Sequence, residues 1–247
     1  MIRRTEIENR SGAVRAFPTG RAAIATTGVL MLALAWFAAG TAALASDASI
    51  KLPPAIGPEE PKVEPYKGDD KLYHQTWFNQ SFMNLREDFE EAKREGKRFA
   101  VIFEQNGCIY CVKMHKEVLA KKYINDYVRE NYRILQINMW GDREVTDFDG
   151  TVLTEKELVR RWRVMFTPWI AFFKEDLTGD DGKPGSELQV MNMSLGIGPG
   201  TFYDVFTWVR VKGYETDEHF QRFHIRRLNE REAIARKQAE DKSKNVN

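Results

Sequence analysis

The sequence predicts an α/β fold: a central mixed β-sheet flanked by helices, with one helix added at its N-terminal side and a helical extension at its C-terminal side. Three observations carry this. Apolar runs of strand length at 98–104, 132–140 and 168–174 alternate with amphipathic stretches of helical period. Turn residues separate them, including Gly96, Gly107 and Gly150. The resulting order, β-α-β-α-β-β-α, is that of one mixed sheet between helices.

In chain order, Trp77, Phe78, Phe82, Leu85 and Phe89 recur at roughly helical spacing, which predicts a helix over 81–95 ended by Gly96. A short buried strand follows at 98–104. The next helix starts at Cys108 and carries Val112, His115 and Leu119, with a second helical segment over 123–131. A strand at 132–140 leads into a polar, hairpin-like loop at 141–150. Thr154 with Glu157 spells a capping box, so a helix runs through Trp162. The strand at 168–174 turns through the Gly-rich stretch 178–185 and returns as a hairpin partner at 187–193. Glycines at 196–200 break the chain before an apolar helix at 201–212, and a polar, arginine-rich helix covers about 216–239.

Four segments are expected. Residues 1–45 read as an export signal: Arg3, Arg4, Arg10, Arg15 and Arg21 precede an apolar run, and Ala43-Leu44-Ala45 supplies a small-x-small cleavage pattern. Left uncut, residues 22–45 are apolar enough to span a bilayer of ~30 Å and would serve as an anchor. Residues 46–70 hold five of the nine prolines and read as an extended linker. Residues 71–215 form the folded domain, and 216–247 a polar helix and tail.

Charge excludes one large class of function. Lys+Arg is 37 and Asp+Glu is 36, without the basic surplus that a nucleic-acid partner demands. Removing 1–45 takes away five arginines and two glutamates, leaving 32 basic and 34 acidic residues and a formal net charge of −2.

The chain has only two cysteines, Cys108 and Cys111, at the spacing C-x-x-C. That is too sparse for a disulfide framework, and a bridge over so short a loop removes little chain entropy. The pair suits reaction better than stapling. It follows an apolar strand and a glycine turn and opens a helix, where unpaired backbone N–H groups favour a thiolate. Cys108, at the helix start, is assigned as the nucleophile. Cys111, one turn in and less exposed, is assigned as the resolving thiol. Ile109 and Tyr110 between them tune the potential, and Tyr110 is placed among the substrate-binding residues.

Thr167-Pro168 opens the strand at 168–174, and a cis bond there is expected from its pairing with C-x-x-C. Thr167, Pro168 and Trp169 are the remaining substrate-binding candidates. Trp140 and Trp162 are expected in the core or in a groove wall. His115 is expected at the surface or half-buried, without a redox role. Glu104 reads equally as a proton acceptor for the resolving thiol and as a solvated strand-end residue. The series Arg222, Arg226, Arg227 and Arg231 is expected on a solvated helix face. No cofactor or metal is called for: Cys108, Cys111 and His115 could contribute to a copper or zinc site, but no second Cys/His pair lies nearby.

The segments EQNGCIYCVKMH at 104–115, QINMWGDREVTDFDG at 136–150, KELVRRW at 156–162 and FTP at 166–168 resemble the periplasmic thioredoxins of bacterial sulfur-oxidation (Sox) gene clusters, the SoxW type. The likeness spans residues 70–215. It implies a thioredoxin-like fold and an exported thiol–disulfide oxidoreductase acting on disulfide-bearing proteins, a Sox sulfur carrier among them. A membrane thiol-electron transporter would be the reductant. Cys108, Cys111 and Pro168 match the functional motif. Gly107 stands where cytosolic thioredoxins carry a tryptophan, and Ile102 where they carry a buried acid. Both departures put the usual proton relay in doubt.

Overall fold

The structure, a computed structural model, describes residues 51–194 and 196–244. The expected export signal and its cleavage point lie outside the described residues. No helix among the described residues is long and apolar enough to cross a membrane.

From residue 51 a strap leads into a small antiparallel ribbon of β1 (Tyr66–Lys67) and β2 (Tyr73–His74). Helix α1 (Leu85–Arg94) starts later than the hydrophobic spacing suggested. Ser81 donates its hydroxyl to Asp88, Met83 takes φ 61°, and Asn84 caps the helix by accepting the Glu87 N–H. Ser81 and Asn84 therefore hold residues 81–84 in a turn that competes with the first helical turn.

Strand β3 (Arg98–Glu104) is buried along its whole length. Helix α2 (Ile109–Lys113) runs into a π-helical turn (Met114–Val118), and α3 (Lys122–Asn131) delivers β4 (Tyr132–Asn138). β5 (Glu144–Thr146) and β6 (Val152–Thr154) form a second ribbon, and α4 (Glu155–Arg161) follows. β7 (Trp169–Phe173) leads through the short α5 (Gly185–Leu188) into β8 (Gln189–Ser194). Helix α6 (Pro199–Arg210) and a 3₁₀ turn (Gly213–Glu215) precede α7 (Phe220–Lys244).

The main sheet has the order β4-β3-β7-β8, with β3 parallel to β4 and the other pairs antiparallel. Side chains alternate across it with period two. Phe99, Val101 and Phe103 of β3 pack with Phe89 of α1 and Leu158 of α4. Ala100 and Ile102 face the other way, toward Val128 of α3 and Phe206 of α6. Each such fully buried large side chain contributes about 1.5–3 kcal/mol of transfer free energy.

The expected loop at 141–150 is instead half of the β5–β6 ribbon. Two buried carboxylates organise it. Glu155 receives Arg143 Nη2 at 2.7 Å and the Asn138 N–H at 2.8 Å. Asp147 accepts from Trp162 Nε1 at 3.0 Å and from the Gly185 N–H at 3.0 Å. Most of the segment 140–150 is therefore scaffold. The capping contact at α4 is formed from the glutamate side, Glu157 accepting the Thr154 N–H at 2.8 Å. The turn expected across 178–185 gives way to α5 before β8 pairs with β7.

The Pro-rich stretch does not stand off as a free linker. The Lys122 and Tyr123 N–H groups, orphaned at the start of α3, donate to the carbonyls of Glu59 and Pro58 at 3.0 Å each. Arg227 of α7 donates to the carbonyls of Pro53 at 2.8 Å and Pro54 at 2.9 Å. A proline-rich segment lacks donors but keeps every acceptor, so it serves as a strap for surplus N–H groups. This also corrects the arginine series. Arg222 and Arg226 are exposed, but Arg227 is 1% exposed, and Arg231 reaches Asp204 at 2.6 Å. The alternation with acids looked like a solvated face because the buried partner, Asp204, lies on another helix.

Candidate dithiol site

Strand β3 ends at Glu104, and the chain turns through Gln105, Asn106 and Gly107. Gly107 has φ 81°, a left-handed conformation that glycine adopts at little cost. The turn sets Cys108 at the N-cap of α2, where its sulfur accepts the Cys111 N–H at 3.0 Å. Cys108 and Cys111 are joined as a disulfide with their Cα atoms 5.3 Å apart. Cys108 is half-buried and reachable, whereas Cys111 is 4% exposed.

Thr167 and Pro168, at the mouth of β7, face this pair. Their peptide bond is cis, both residues are buried, and the Thr167 carbonyl oxygen lies 3.4 Å from Cys108 Sγ. A hydrogen-bonded belt holds this mouth in place. Trp140 Nε1 donates to Gln105 Oε1 at 2.7 Å, and Gln105 Nε2 donates to Thr167 Oγ1 at 3.0 Å. Trp140 is therefore outside the core, 66% exposed on the wall beside the disulfide. Trp162 is buried beside Phe103. Trp169 is half-buried and packs against the core on the α1/α4 face, behind Pro168.

Ile109, Tyr110, Trp140 and Phe166 leave large apolar side chains exposed, all from segments that converge on the disulfide. Tyr110 lies over Gly196, where an added Cβ would come within 2.4 Å of its ring. Beyond Tyr110 a groove of about 230 Å³ opens, bordered by Lys113, Glu117, Pro168, Ile197 and Phe202.

On the inner side of the pair the structure corrects the exposure expected of His115 and rules out the solvated reading of Glu104. His115 is fully buried, and Glu104 is 1% exposed. His115 Nε2 lies 2.9 Å from Glu104 Oε1, and Gln136 Nε2 donates to the same oxygen at 2.9 Å. Periodicity missed this because the residues lie on three separate elements, and each alone looks like an ordinary polar position. Both ring nitrogens of His115 contact protein groups, Glu104 and Gln75, so the imidazole is not presented to the sulfurs as a metal ligand. Among the described residues no cluster of His, Cys, Asp and Glu converges in the manner a metal ion needs. Neither Gln105 nor Gln136 was singled out by sequence reasoning. Gln105 lies next to Glu104 and three residues before Cys108, the only signal available for it.

A family model described as a thioredoxin-like domain matches residues 85–181, from α1 through β7 and the turn after it. The chain carries a thioredoxin-like domain. Its C-x-x-C pair and Thr167-Pro168 both fall within the matched stretch of that thioredoxin-like domain. A search of curated proteins finds no match. Solved structures similar to this chain include the following three. A thioredoxin-fold protein from Helicobacter pylori is 17% identical, covering 55% of this chain and 82% of its own, with a TM-score of 0.42. A thioredoxin from Thermus thermophilus is 20% identical, covering 55% of this chain and 95% of its own, with a TM-score of 0.41. An oxidoreductase called DsbH is 15% identical, covering 59% of this chain and 94% of its own, with a TM-score of 0.36.

Proposed function

We propose that this protein is an exported thiol–disulfide oxidoreductase that reduces disulfides of protein substrates, a sulfur-carrier protein among them, through Cys108 and Cys111. One observation carries the proposal. A reachable Cys108 sulfur stands 3.4 Å from the Thr167 carbonyl, with its partner Cys111 sheltered behind it. That placement suits a nucleophile outside and a resolving thiol inside.

Starting from the reduced dithiol, the Cys108 thiolate attacks one sulfur of a substrate disulfide. A Cys108–substrate S–S bond forms, and the other substrate sulfur leaves as a thiolate. Cys111, deprotonated, then attacks Cys108 Sγ. The internal disulfide forms, and the second substrate thiolate leaves. The substrate gains two electrons and takes up two protons, and the protein gives up the same. A membrane thiol-electron transporter returns the electrons in the next half-cycle. Thr167 and Pro168 present backbone to the docked peptide, Tyr110 flanks it, and Trp169 supports Pro168 from behind. The exposed apolar rim at Ile109, Trp140 and Phe166 favours partners that bring unfolded or apolar segments.

Export to the periplasm is supported by the arginine-rich and apolar composition of 1–45. The sulfur-oxidation setting is supported by the resemblance of 104–168 to thioredoxins of those gene clusters. The direction of electron flow depends on the couple, since dithiols of this kind span about −270 to −120 mV. Titration of the purified domain against glutathione fixes the potential and separates a reductase from an oxidase or isomerase. Reduction of insulin or of a carrier-protein disulfide should fall to background in Cys108→Ser. Full activity in that variant would end the proposal.

A further inference from the structure

The lysines of the folded domain divide into two groups by the company they keep. Between Tyr66 and Glu215 every lysine away from the disulfide meets a carboxylate, as Lys93 meets Asp176 at 2.8 Å, Lys97 meets Glu95 at 3.6 Å and Lys174 meets Asp180 at 3.6 Å. Lys67, Lys71, Lys113 and Lys116 meet none among the described residues. All four are exposed, and all four stand around the dithiol. Lys67 and Lys71 border a cavity of about 180 Å³ that Cys108, Cys111 and Tyr73 also line. Lys116 sets its ammonium 4.8 Å over the Tyr73 ring, and Lys67 approaches the same ring at 6.0 Å. Lys113 borders the groove beyond Tyr110, on the other side of α2.

Lys67 and Lys71 come from the β1–β2 ribbon, which lies outside the matched stretch 85–181. The ribbon is fixed to the domain. Leu72 is 3% exposed, the Tyr73 carbonyl accepts Gln136 Nε2 at 2.9 Å, and the Tyr66 ring stacks on His74 with centroids 5.3 Å apart. Lys71 takes φ 66°, a left-handed conformation uncommon outside glycine, and its N–H donates to the Gly68 carbonyl at 3.0 Å. The nearby acids do not take up these ammoniums. Asp70 accepts the Leu72 N–H at 3.0 Å and lies 2.9 Å from His74 Nε2. Glu104 lines the cavity but is 1% exposed and held by His115 and Gln136. Asp69 is exposed on the ribbon turn, and Glu117 borders the groove beyond Tyr110. The exposed charges that line the cavity are therefore both positive, in a chain whose formal net charge is −2 without residues 1–45.

We propose that Lys67, Lys71 and Lys116 select the substrate: a polypeptide that carries Asp or Glu within a few positions of the cysteine that Cys108 attacks. A cleft lined by one sign of charge raises the association rate of an oppositely charged partner by about 10–10³-fold, and it disfavours a partner of like charge. The ammoniums are spread over the ribbon and the π-helical turn, on both sides of the Tyr73 ring. That spread suits a chain bearing more than one carboxylate better than a single small anion. It is also continuous with the apolar rim at Ile109 and Tyr110, which belongs to the same docking surface. The apolar rim then receives the segment at the disulfide, and the ribbon receives its acidic flank. These lysines act on binding and take no part in the exchange of electrons.

The inference rests on the dithiol function proposed above, and the test separates the two. Full-length protein, reduced with dithiothreitol and freed of it, is given one disulfide-bearing peptide in three versions, with Asp, Asn or Lys beside its cysteines. The readout is the ratio of kcat/KM between versions, compared across protein variants so that the peptides' own reactivity cancels. Wild-type protein should favour the Asp version over the Asn version by about tenfold and the Lys version least. The preference should vanish in 1 M salt, where charges are screened beyond about 3 Å. In Lys67→Gln/Lys71→Gln the Asp-to-Asn ratio should fall toward one, and in Lys67→Glu/Lys71→Glu the Lys version should become the better substrate. Lys93→Gln/Lys97→Gln removes the same charge at the opposite end of β3 and should leave the ratio unmoved. Equal turnover of the Asp and Asn versions by the wild type, a preference that 1 M salt leaves intact, or a ratio that the ribbon variants do not move overturns the proposal. Oxidised glutathione turned over as fast as the Asp version, with the same response to the variants, overturns the polypeptide as partner. Failure of the wild type to form a mixed disulfide with any version would instead overturn the dithiol function.

Discussion

Arg227 and Asp204 meet in the interior, Nε to Oδ1 at 3.5 Å, with the side chains 1% and 0% exposed. Asp204 also receives Arg231 at 2.6 Å and His224 Nδ1 at 2.7 Å. This carboxylate on α6 ties down α7, and through Arg227 the strap at Pro53 and Pro54. Removing one partner of a buried charge pair typically costs about 3–5 kcal/mol, because the other is left desolvated and uncompensated. Asp204→Asn should destabilise the protein by that order in urea unfolding. It should also expose residues 51–64 to protease before the core opens. Wild-type stability in this variant would mean that α7 is held by apolar packing alone.

Cys111→Ser removes the resolving thiol and leaves Cys108 as the only sulfur nucleophile. The mixed disulfide then has no intramolecular route out. A stoichiometric covalent adduct with a disulfide-bearing substrate should accumulate and be visible on non-reducing gels. Cys108→Ser should give none, since Cys111 is 4% exposed. Adducts of equal yield from the two variants would reverse the assignment of roles.

Gly196→Ala would place a methyl group 2.4 Å from the Tyr110 ring. Tyr110 is 48% exposed and free to swing away, so stability should change by less than about 1 kcal/mol. The ring would leave its place beside the groove, and kcat/KM for a peptide disulfide should fall several-fold, mainly through KM. Unchanged kinetics would remove Tyr110 from the docking surface.

Asp149 lies on the turn of the β5–β6 ribbon. Hydrogen bonds from the Arg161 guanidinium hold its carboxyl down to about 2, with the Thr151 N–H adding to the effect. Its folded pKa is depressed, so the stability it contributes is present above the unfolded value of ~3.9 and is lost as pH falls toward 2. After allowance for screening near the surface this amounts to about 1–2 kcal/mol. Denaturant midpoints measured from pH 5 to pH 2 should fall less steeply in Asp149→Asn than in the wild type. Parallel curves would show that the ion pair contributes no pH-dependent stability.

Much of the fold was legible because it is written in local pattern. The apolar run from Arg98 to Glu104 is a strand with those bounds, since seven consecutive buried positions need no distant partner to be recognised. The C-x-x-C after Gly107 and the Thr-Pro before Trp169 were legible because turn chemistry and spacing are properties of adjacent residues. The start of α1 was misplaced because Ser81 and Asn84 offered the backbone side-chain partners that hydrophobic spacing does not register. The β5–β6 ribbon was missed because three-residue strands carry too little periodicity to detect.

Adjacent residues alone were enough to specify the sheet, the two sulfurs and the turn that presents them, because strand burial, glycine turns and helix starts act over a few positions. What required the folded chain was the company that distant residues keep. Glu104 and His115 are eleven positions apart and meet because the helical segment after β3 folds back over the strand end, while the parallel pairing of β3 with β4 sets Gln136 beside the same carboxylate. Arg227 reads as a surface charge until α6 sets Asp204 against it and the strap lays its carbonyls across it. The physical reason is the same in both places: whether a polar group is solvated or buried depends on which elements pack over it, and no local pattern encodes that packing.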